Sequence, residues 1–301
     1  MASTFVLYHY TPNLVCAVLF AALFSLTTAF HLYQRIRTHT KYFNPFIVGG
    51  IFQIIGYVAR ALTHFHETST ILYAIQNLFL LLAPTLYAAS IYMVLGRIIT
   101  YVQGEHLSFI PVRLMTKIFV AGDVLSFILQ AAGGGIMSSK SQNALTIGKW
   151  VIVGGLGVQL VFFGAFVFTA LVFNVKLLRH PTPESEETLE LRSCVLPRDW
   201  RGLLFACYAV SMLILIRSIY RLIEFAQGND GYVMSHEVFL YVFDAAMMFL
   251  VMFIMNVMHP SVVLSRVAPR RSSSRRTEVQ LEEQKVRRTR SQGRSRDRAR
   301  K

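Results

Sequence analysis

Seven long apolar runs, broken by short polar stretches, dominate the first 260 residues of the chain. They fall at residues 13–33, 44–64, 70–96, 114–137, 150–174, 202–225 and 237–258. A run of about 20 apolar residues is long enough to cross a bilayer core as a helix. A helix suits that solvent because it satisfies all its backbone hydrogen bonds internally. Only 15 % of the residues are charged, and they collect between the runs and at the C-terminus. The sequence therefore predicts an all-α, polytopic membrane protein with seven transmembrane helices. The first run is too long for a signal-peptide core and has no basic flank before it, so it is expected to stay as a helix.

Charge sets an expected direction. The loops on one side carry Arg35, Arg37, Lys41, Arg97, Arg113, Lys176, Arg179, Arg192, Arg198 and Arg201, whereas the other side carries only Lys140 and Lys149. Cytoplasmic loops are enriched in Lys and Arg, which puts the N-terminus outside and the C-terminus in the cytoplasm. An odd number of spans agrees with ends on opposite sides. Residues 1–261 then form the seven-helix membrane domain. Residues 262–301 form a basic Arg/Ser-rich tail, with fourteen Lys/Arg against four acids. That composition cannot bury a core, so the tail is expected to be disordered and solvated. Its charge suits attraction to anionic lipids of the inner leaflet, and phosphorylation of Ser272, Ser273 or Ser274 would weaken it. The tail has no aromatic residues to stack on bases, so no nucleic-acid partner is expected.

Charges inside the runs point to a site. Arg60, Asp123, Arg217, Arg221, Glu224 and Asp244 sit where a charge costs at least ~2.5 kcal/mol on insertion scales. Three are positive and three negative, which suggests mutual neutralisation. Residues three and four apart share a helix face. Arg217, Arg221 and Glu224 make one stripe in the sixth run. Gln53, Tyr57, Arg60 and His64 make one in the second, Asp123, Ser126 and Gln130 in the fourth, and Glu237, Tyr241, Asp244 and Met248 in the seventh. By helical rise, Arg217 lies about 11 Å and Asp244 about 10 Å below the outer ends of their runs. The expectation is a polar, charge-paired cavity among the second, fourth, sixth and seventh helices, opening outward. The competing reading is a set of buried salt bridges that only fix packing.

Other features exclude or qualify. There is no G-x-x-x-x-G-K-[ST], no H-E-x-x-H and no G-x-S-x-G, so an ATP site, a zinc protease and a hydrolase elbow are unsupported. No cofactor or metal is expected, and the chain is read as a non-enzyme. The three cysteines lack the spacing of a disulfide framework or zinc site. The "HFHE" stretch (64–67) reads as a solvated loop. "GGG" (133–135) and "GGLG" (154–157) most simply let helices approach closely. Pro84 should disturb the third helix.

Several segments, taken in order, resemble one family: "GYVAR" (56–60), "LAPTLYAASIYMVLGRII" (82–99), "GDVLSFILQAAGGG" (122–135), "GGLGVQLVFFGAF" (154–166), "IRSIYRLIEFAQG" (216–228), "DGYVMSHEVFLYVFDA" (230–245) and "HP" (259–260). The set is similar to the fungal lipid-translocating exporters, RTA-like seven-helix proteins named for resistance to aminocholesterol, over about residues 10–260. The resemblance implies a multi-pass protein, most simply of the plasma membrane, with the endoplasmic reticulum or vacuole as alternatives. It implies export or flipping of amphipathic lipids such as sphingoid long-chain bases or sterol-like compounds, and resistance to toxic lipids. A porphyrin transporter and a lipid sensor or receptor-like regulator stay open beside it, although no D-R-Y follows the third helix and no N-P-x-x-Y lies in the seventh. The positions carried over are Arg60, Arg97, Asp123, Gln130, Arg217, Arg221, Glu224, Glu237, Asp244 and His259. Of these, Arg60, Asp123, Gln130, Arg217, Arg221, Glu224, Glu237 and Asp244 are the candidate substrate-binding residues. Gln53 stands where the family often has glutamate, which removes an intramembrane acid from the second helix.

Overall fold

The computed structural model describes residues 13–66, 69–137, 141–182, 200–228, 231–232 and 236–261. The basic tail and Glu67 of the "HFHE" stretch lie outside the described residues. The chain is all-helical, with no strand among the described residues. Seven long helices follow one another: α1 Leu14–Thr38, α2 Asn44–Thr63, α3 Thr70–Tyr101, α4 Val112–Met137, α5 Gln142–Arg179, α6 Trp200–Gln227 and α7 Glu237–Val257. All but α4 are long and apolar enough by composition to cross a membrane, and α4, at 26 residues, has the length. The protein is a multi-pass membrane protein.

Local chemistry marks the helix starts. Asn13, Ser69 and Ser141 each sit just before a helix and accept a backbone N–H of its first turn, from Cys16, Leu72 and Ala144 respectively. These caps satisfy donors that a helix leaves open at its N-terminus. α5 is 38 residues long, about 57 Å, so it projects well beyond a ~30 Å hydrocarbon core. The apolar run at 150–174 marks only the part that crosses.

Each helix packs on its chain neighbour, α7 returns to α1, and α3 also reaches α6. The polarity of a soluble fold is reversed. Val15 and Leu26 of α1, Phe168 of α5, Phe205 of α6 and Val238 and Phe253 of α7 face outward, as lipid-facing residues should. Arg60, Arg217, Arg221, Asp123, Glu224 and Asp244 are buried. Close approach of α4 and α5 uses two of the six glycines expected to provide it. A Cβ on Gly133 would lie 2.7 Å from the Gly148 carbonyl, and one on Gly155 would lie 2.9 Å from the Ser126 carbonyl. Gly134, Gly154 and Gly157 meet nothing within 4 Å and face away.

The seventh helix is not uniform. Between an α-helical first turn, Glu237–Leu240, and an α-helical second half, Met247–Val257, it winds as a π-helix over Tyr241–Ala246. Such segments are rare and recur at functional sites. Asp244 lies inside this one.

Candidate functional site

The stripe on α6 is the centre of the site. Arg217, Arg221 and Glu224 are 1 %, 2 % and 4 % exposed. Arg217 Nε donates to Asp244 Oδ1 at 2.6 Å, joining α6 to α7. Its Nη2 donates to the Leu80 carbonyl of α3 at 2.7 Å. That carbonyl is available for a covalent reason. In an α-helix it would accept from the N–H of residue 84, and residue 84 is proline, which has none. Pro84 thus opens an acceptor in the apolar interior, and Arg217 fills it. One guanidinium thereby ties three helices together. One turn on, Arg221 Nη1 donates to Glu224 Oε2 at 2.6 Å within α6, and the Tyr220 hydroxyl donates to Glu224 Oε1 at 3.3 Å.

A second clasp lies at the end of the bundle where α1 and α7 begin. Arg60 Nη2 donates to Glu237 Oε1 at 2.6 Å, and Arg60 Nε donates to the Tyr241 hydroxyl at 3.1 Å. Both Glu237 oxygens accept from the backbone N–H of Asn13, at 2.9 and 3.1 Å. The Tyr241 hydroxyl donates to the Asn13 carbonyl at 3.3 Å. The start of α1, the last turn of α2 and the first turns of α7 therefore close on one another. Phe20 stacks on Tyr241 and Phe24 on Tyr57, at centroid distances of 5.6 and 5.4 Å, beneath this clasp.

Between clasp and stripe lie polar groups that the protein leaves unmet. The Tyr57 hydroxyl is fully buried and interacts electrostatically with Asp244, Arg60, Tyr241 and Arg217. Among the described residues it has no hydrogen-bond partner, and neither has Gln53 Oε1 or Nε2 one turn below it, Asp244 Oδ2, or Arg221 Nε and Nη2. Buried polar atoms are almost always paired, because an unmet one costs about 1–3 kcal/mol. Four side chains from α2, α6 and α7 break that rule in one region.

Asp123 and Gln130 go elsewhere. Asp123 Oδ2 accepts from the Tyr92 hydroxyl of α3 at 3.0 Å, in a nest of Phe119, Phe163 and Phe166 around Tyr92. Gln130 Nε2 donates to Ser126 Oγ at 2.8 Å and to Gln159 Oε1 of α5 at 3.2 Å. No cation among the described residues pairs with Asp123, and the acid that neutralises Arg60 is Glu237. Among the described residues the ion pairs are therefore Arg60–Glu237, Arg217–Asp244 and Arg221–Glu224. At the opposite end of α7, His259 Nδ1 lies 2.7 Å from Ser261 Oγ, and burial lowers the imidazole pKa to about 4. Arg97 lies over the Tyr42 ring at 3.9 Å from its centroid.

Sequence reasoning missed the backbone acceptor at Leu80 and the contribution of Asn13. Pro84, four residues beyond Leu80, is the signal that could have found the first. Nothing local marks the second, because it depends on α1 and α7 meeting.

The family pattern described as RTA1 like protein matches residues 46–266, from the start of α2 past the end of α7. The chain belongs to the RTA1-like family. The match contains every charged residue of the stripe and clasp, and leaves out α1 with Asn13. Among RTA1-like relatives, Protoporphyrin uptake protein 1 of Saccharomyces cerevisiae is 37 % identical over 290 residues, covering 85 % of this chain and 92 % of the relative. Probable lipid transporter atnI of Emericella nidulans is 32 % identical over 268 residues, covering 86 % and 68 %. Sphingoid long-chain base transporter RSB1 of Saccharomyces cerevisiae (strain Lalvin EC1118) is 23 % identical over 275 residues, covering 83 % and 72 %. No solved structure matches the chain.

Proposed function

We propose that this RTA1-like protein is a translocator of amphipathic lipids, and that the region between stripe and clasp receives their head group. The observation that carries the reading is the set of unmet polar atoms on Gln53, Tyr57, Arg221 and Asp244, inside a bundle whose outside is apolar. Intramembrane ionisable groups commonly line substrate paths. A head group of a lipid has hydrogen-bonding capacity to satisfy these atoms, while its acyl chain suits the apolar space between helices. The names of atnI and RSB1, a lipid transporter and a sphingoid base transporter, support the same class. The protein acts in this reading as a carrier and not an enzyme. Its N-terminus faces outward, its basic tail meets anionic lipids of the inner leaflet, and the plasma membrane is its site. A porphyrin cargo has one specific observation in its favour, the name of the 37 % identical relative.

The test is transport by the purified chain in liposomes, with a fluorescent sphingoid base, phospholipid and porphyrin run side by side. Asp244→Asn is expected to abolish lipid movement. Because Asp244 also holds Arg217, Tyr57→Phe is run with it; that change removes a hydroxyl with no hydrogen bond to lose. Unchanged lipid movement in both variants would overturn the assignment.

A further inference from the structure

We propose that the head group this site takes is zwitterionic, an oxyanion and an ammonium joined by a short linker. The inference rests on the translocator reading and names its substrate class. A guanidinium has two bidentate edges. On Arg221 the Nη1 side is committed to Glu224 at 2.6 Å. Nε and Nη2, which point their N–H bonds the same way along the other edge, have no partner among the described residues. That edge is the fork that matches two oxygens of a phosphate or carboxylate. It is buried in a residue only 2 % exposed, so solvent does not meet its donors.

The complementary half lies beside the preceding turn of α6. Arg217 spends Nε on Asp244 Oδ1 and Nη2 on the Leu80 carbonyl, so it is the structural arginine of the stripe. Asp244 Oδ2 remains an unmet anionic acceptor, and Gln53 Oε1 an unmet neutral one. Asp244 is held at 2.6 Å by Arg217, which sits four residues from Arg221 on the same face of α6, so the donor edge and the acceptor share one neighbourhood. An ammonium at Asp244 and an oxyanion at Arg221 would satisfy both.

Net charge decides between head groups. Arg217 and Arg221 balance Asp244 and Glu224, so the stripe and Asp244 together are neutral as they stand. A lone ammonium adds an uncompensated charge and leaves the Arg221 edge unmet. A lone oxyanion adds one of the other sign and leaves Asp244 Oδ2 unmet. A zwitterion adds none, which a low-dielectric interior favours. The head group can be supplied by a phosphoethanolamine lipid or by a phosphorylated amino-alcohol lipid; the shared chemistry is the phosphate with a nearby primary ammonium.

The experiment measures binding by the full chain in non-ionic detergent, through the thermal shift produced by three amphiphiles of equal chain length: an alkyl phosphoethanolamine, an alkylamine and an alkyl phosphate. Ligand that binds only the native state raises the midpoint by an amount that grows with the logarithm of its concentration over its Kd, so a concentration series yields the Kd. The expected result is a Kd for the phosphoethanolamine at least tenfold below either single-charge analogue. Arg221→Lys, which keeps a cation for Glu224 but has no two-donor edge, is expected to erase that advantage. An alkylamine that binds as tightly as the phosphoethanolamine would overturn the zwitterion and leave the translocator reading intact. An alkyl phosphate that does so would overturn it in the same way. Failure of all three to bind would remove the head-group site itself, and both readings with it.

Discussion

Gln53 is a residue whose removal should strengthen the protein and weaken its activity. Its amide is buried with no partner for either atom among the described residues. Gln53→Leu is expected to stabilise the fold by about 1–3 kcal/mol, seen as a higher unfolding midpoint in detergent, and to slow lipid movement. A core residue with only a packing role would not separate the two readouts. Arg217→Leu has the opposite signature. It strands Asp244 and the Leu80 carbonyl together, and is expected to cost about 3–5 kcal/mol by denaturant unfolding. His259 gives a pH dependence. Its folded-state pKa of about 4 lies below the ordinary 6.5, so its neutral form favours folding. That contribution is complete above pH 6.5 and is lost as pH falls towards 4. His259→Asn is expected to flatten the stability profile across that window. At this scale the α6 stripe was legible, because 3- and 4-residue spacing is a local property. Partner choice was not. Arg60 takes Glu237, Asp123 takes Tyr92, and Arg217 takes a backbone carbonyl, and each choice depends on how separate helices pack, which residue spacing does not record.

Helix identity and order are the most legible part of the fold, since the bilayer demands long apolar helices and little else. The ends of α3 and α5 were not, because both helices continue into polar sequence once they leave the apolar core. The π segment of α7 was invisible: "YVFDAA" contains no proline or glycine to mark it. A π-helix inserts one extra residue into a helical frame. Deleting Val242, whose side chain faces outward, is expected to return α7 to plain α-helix. Because the wide turns absorb that residue, its removal leaves the faces of the two α-helical ends aligned but straightens the turn that carries Asp244. The Arg60–Glu237 pair should then persist, while Asp244 loses the backbone position that sets it against Arg217. Helical content by circular dichroism should persist while lipid movement is lost. Pro84 makes a matching prediction in α3. Pro84→Ala in an ordinary helix gains about 3 kcal/mol. Here the restored N–H competes with Arg217 for Leu80, so the gain should be clearly smaller by unfolding midpoint.

At the scale of the molecule, two polar clusters divide the bundle. One joins α1, α2, α3, α6 and α7 through Arg60, Arg217 and their partners, and the other joins α3, α4 and α5 through Asp123 and Gln130. The sequence pointed to one group on α2, α4, α6 and α7, because depth along a helix is readable from residue number while the angular placement of helices is not. α3 lies on both sides of the division, and its carbonyl at Leu80 and hydroxyl at Tyr92 serve one cluster each. Orientation is tested on α5, whose flanking residues Ser141 and His180 are both exposed. With the native cysteines replaced, a cysteine at 141 should react with an impermeant maleimide on intact cells, and one at 180 only after permeabilisation. The central claim is that the unmet polar atoms at the heart of the bundle are kept for a lipid head group and not for folding. The most direct measurement is lipid movement in liposomes by the wild-type chain and the Gln53→Leu/Tyr57→Phe double variant, with unfolding midpoints recorded on the same preparations. The expected result is a double variant at least as stable as wild type that moves lipid at least tenfold more slowly; equal rates in the two would contradict the account.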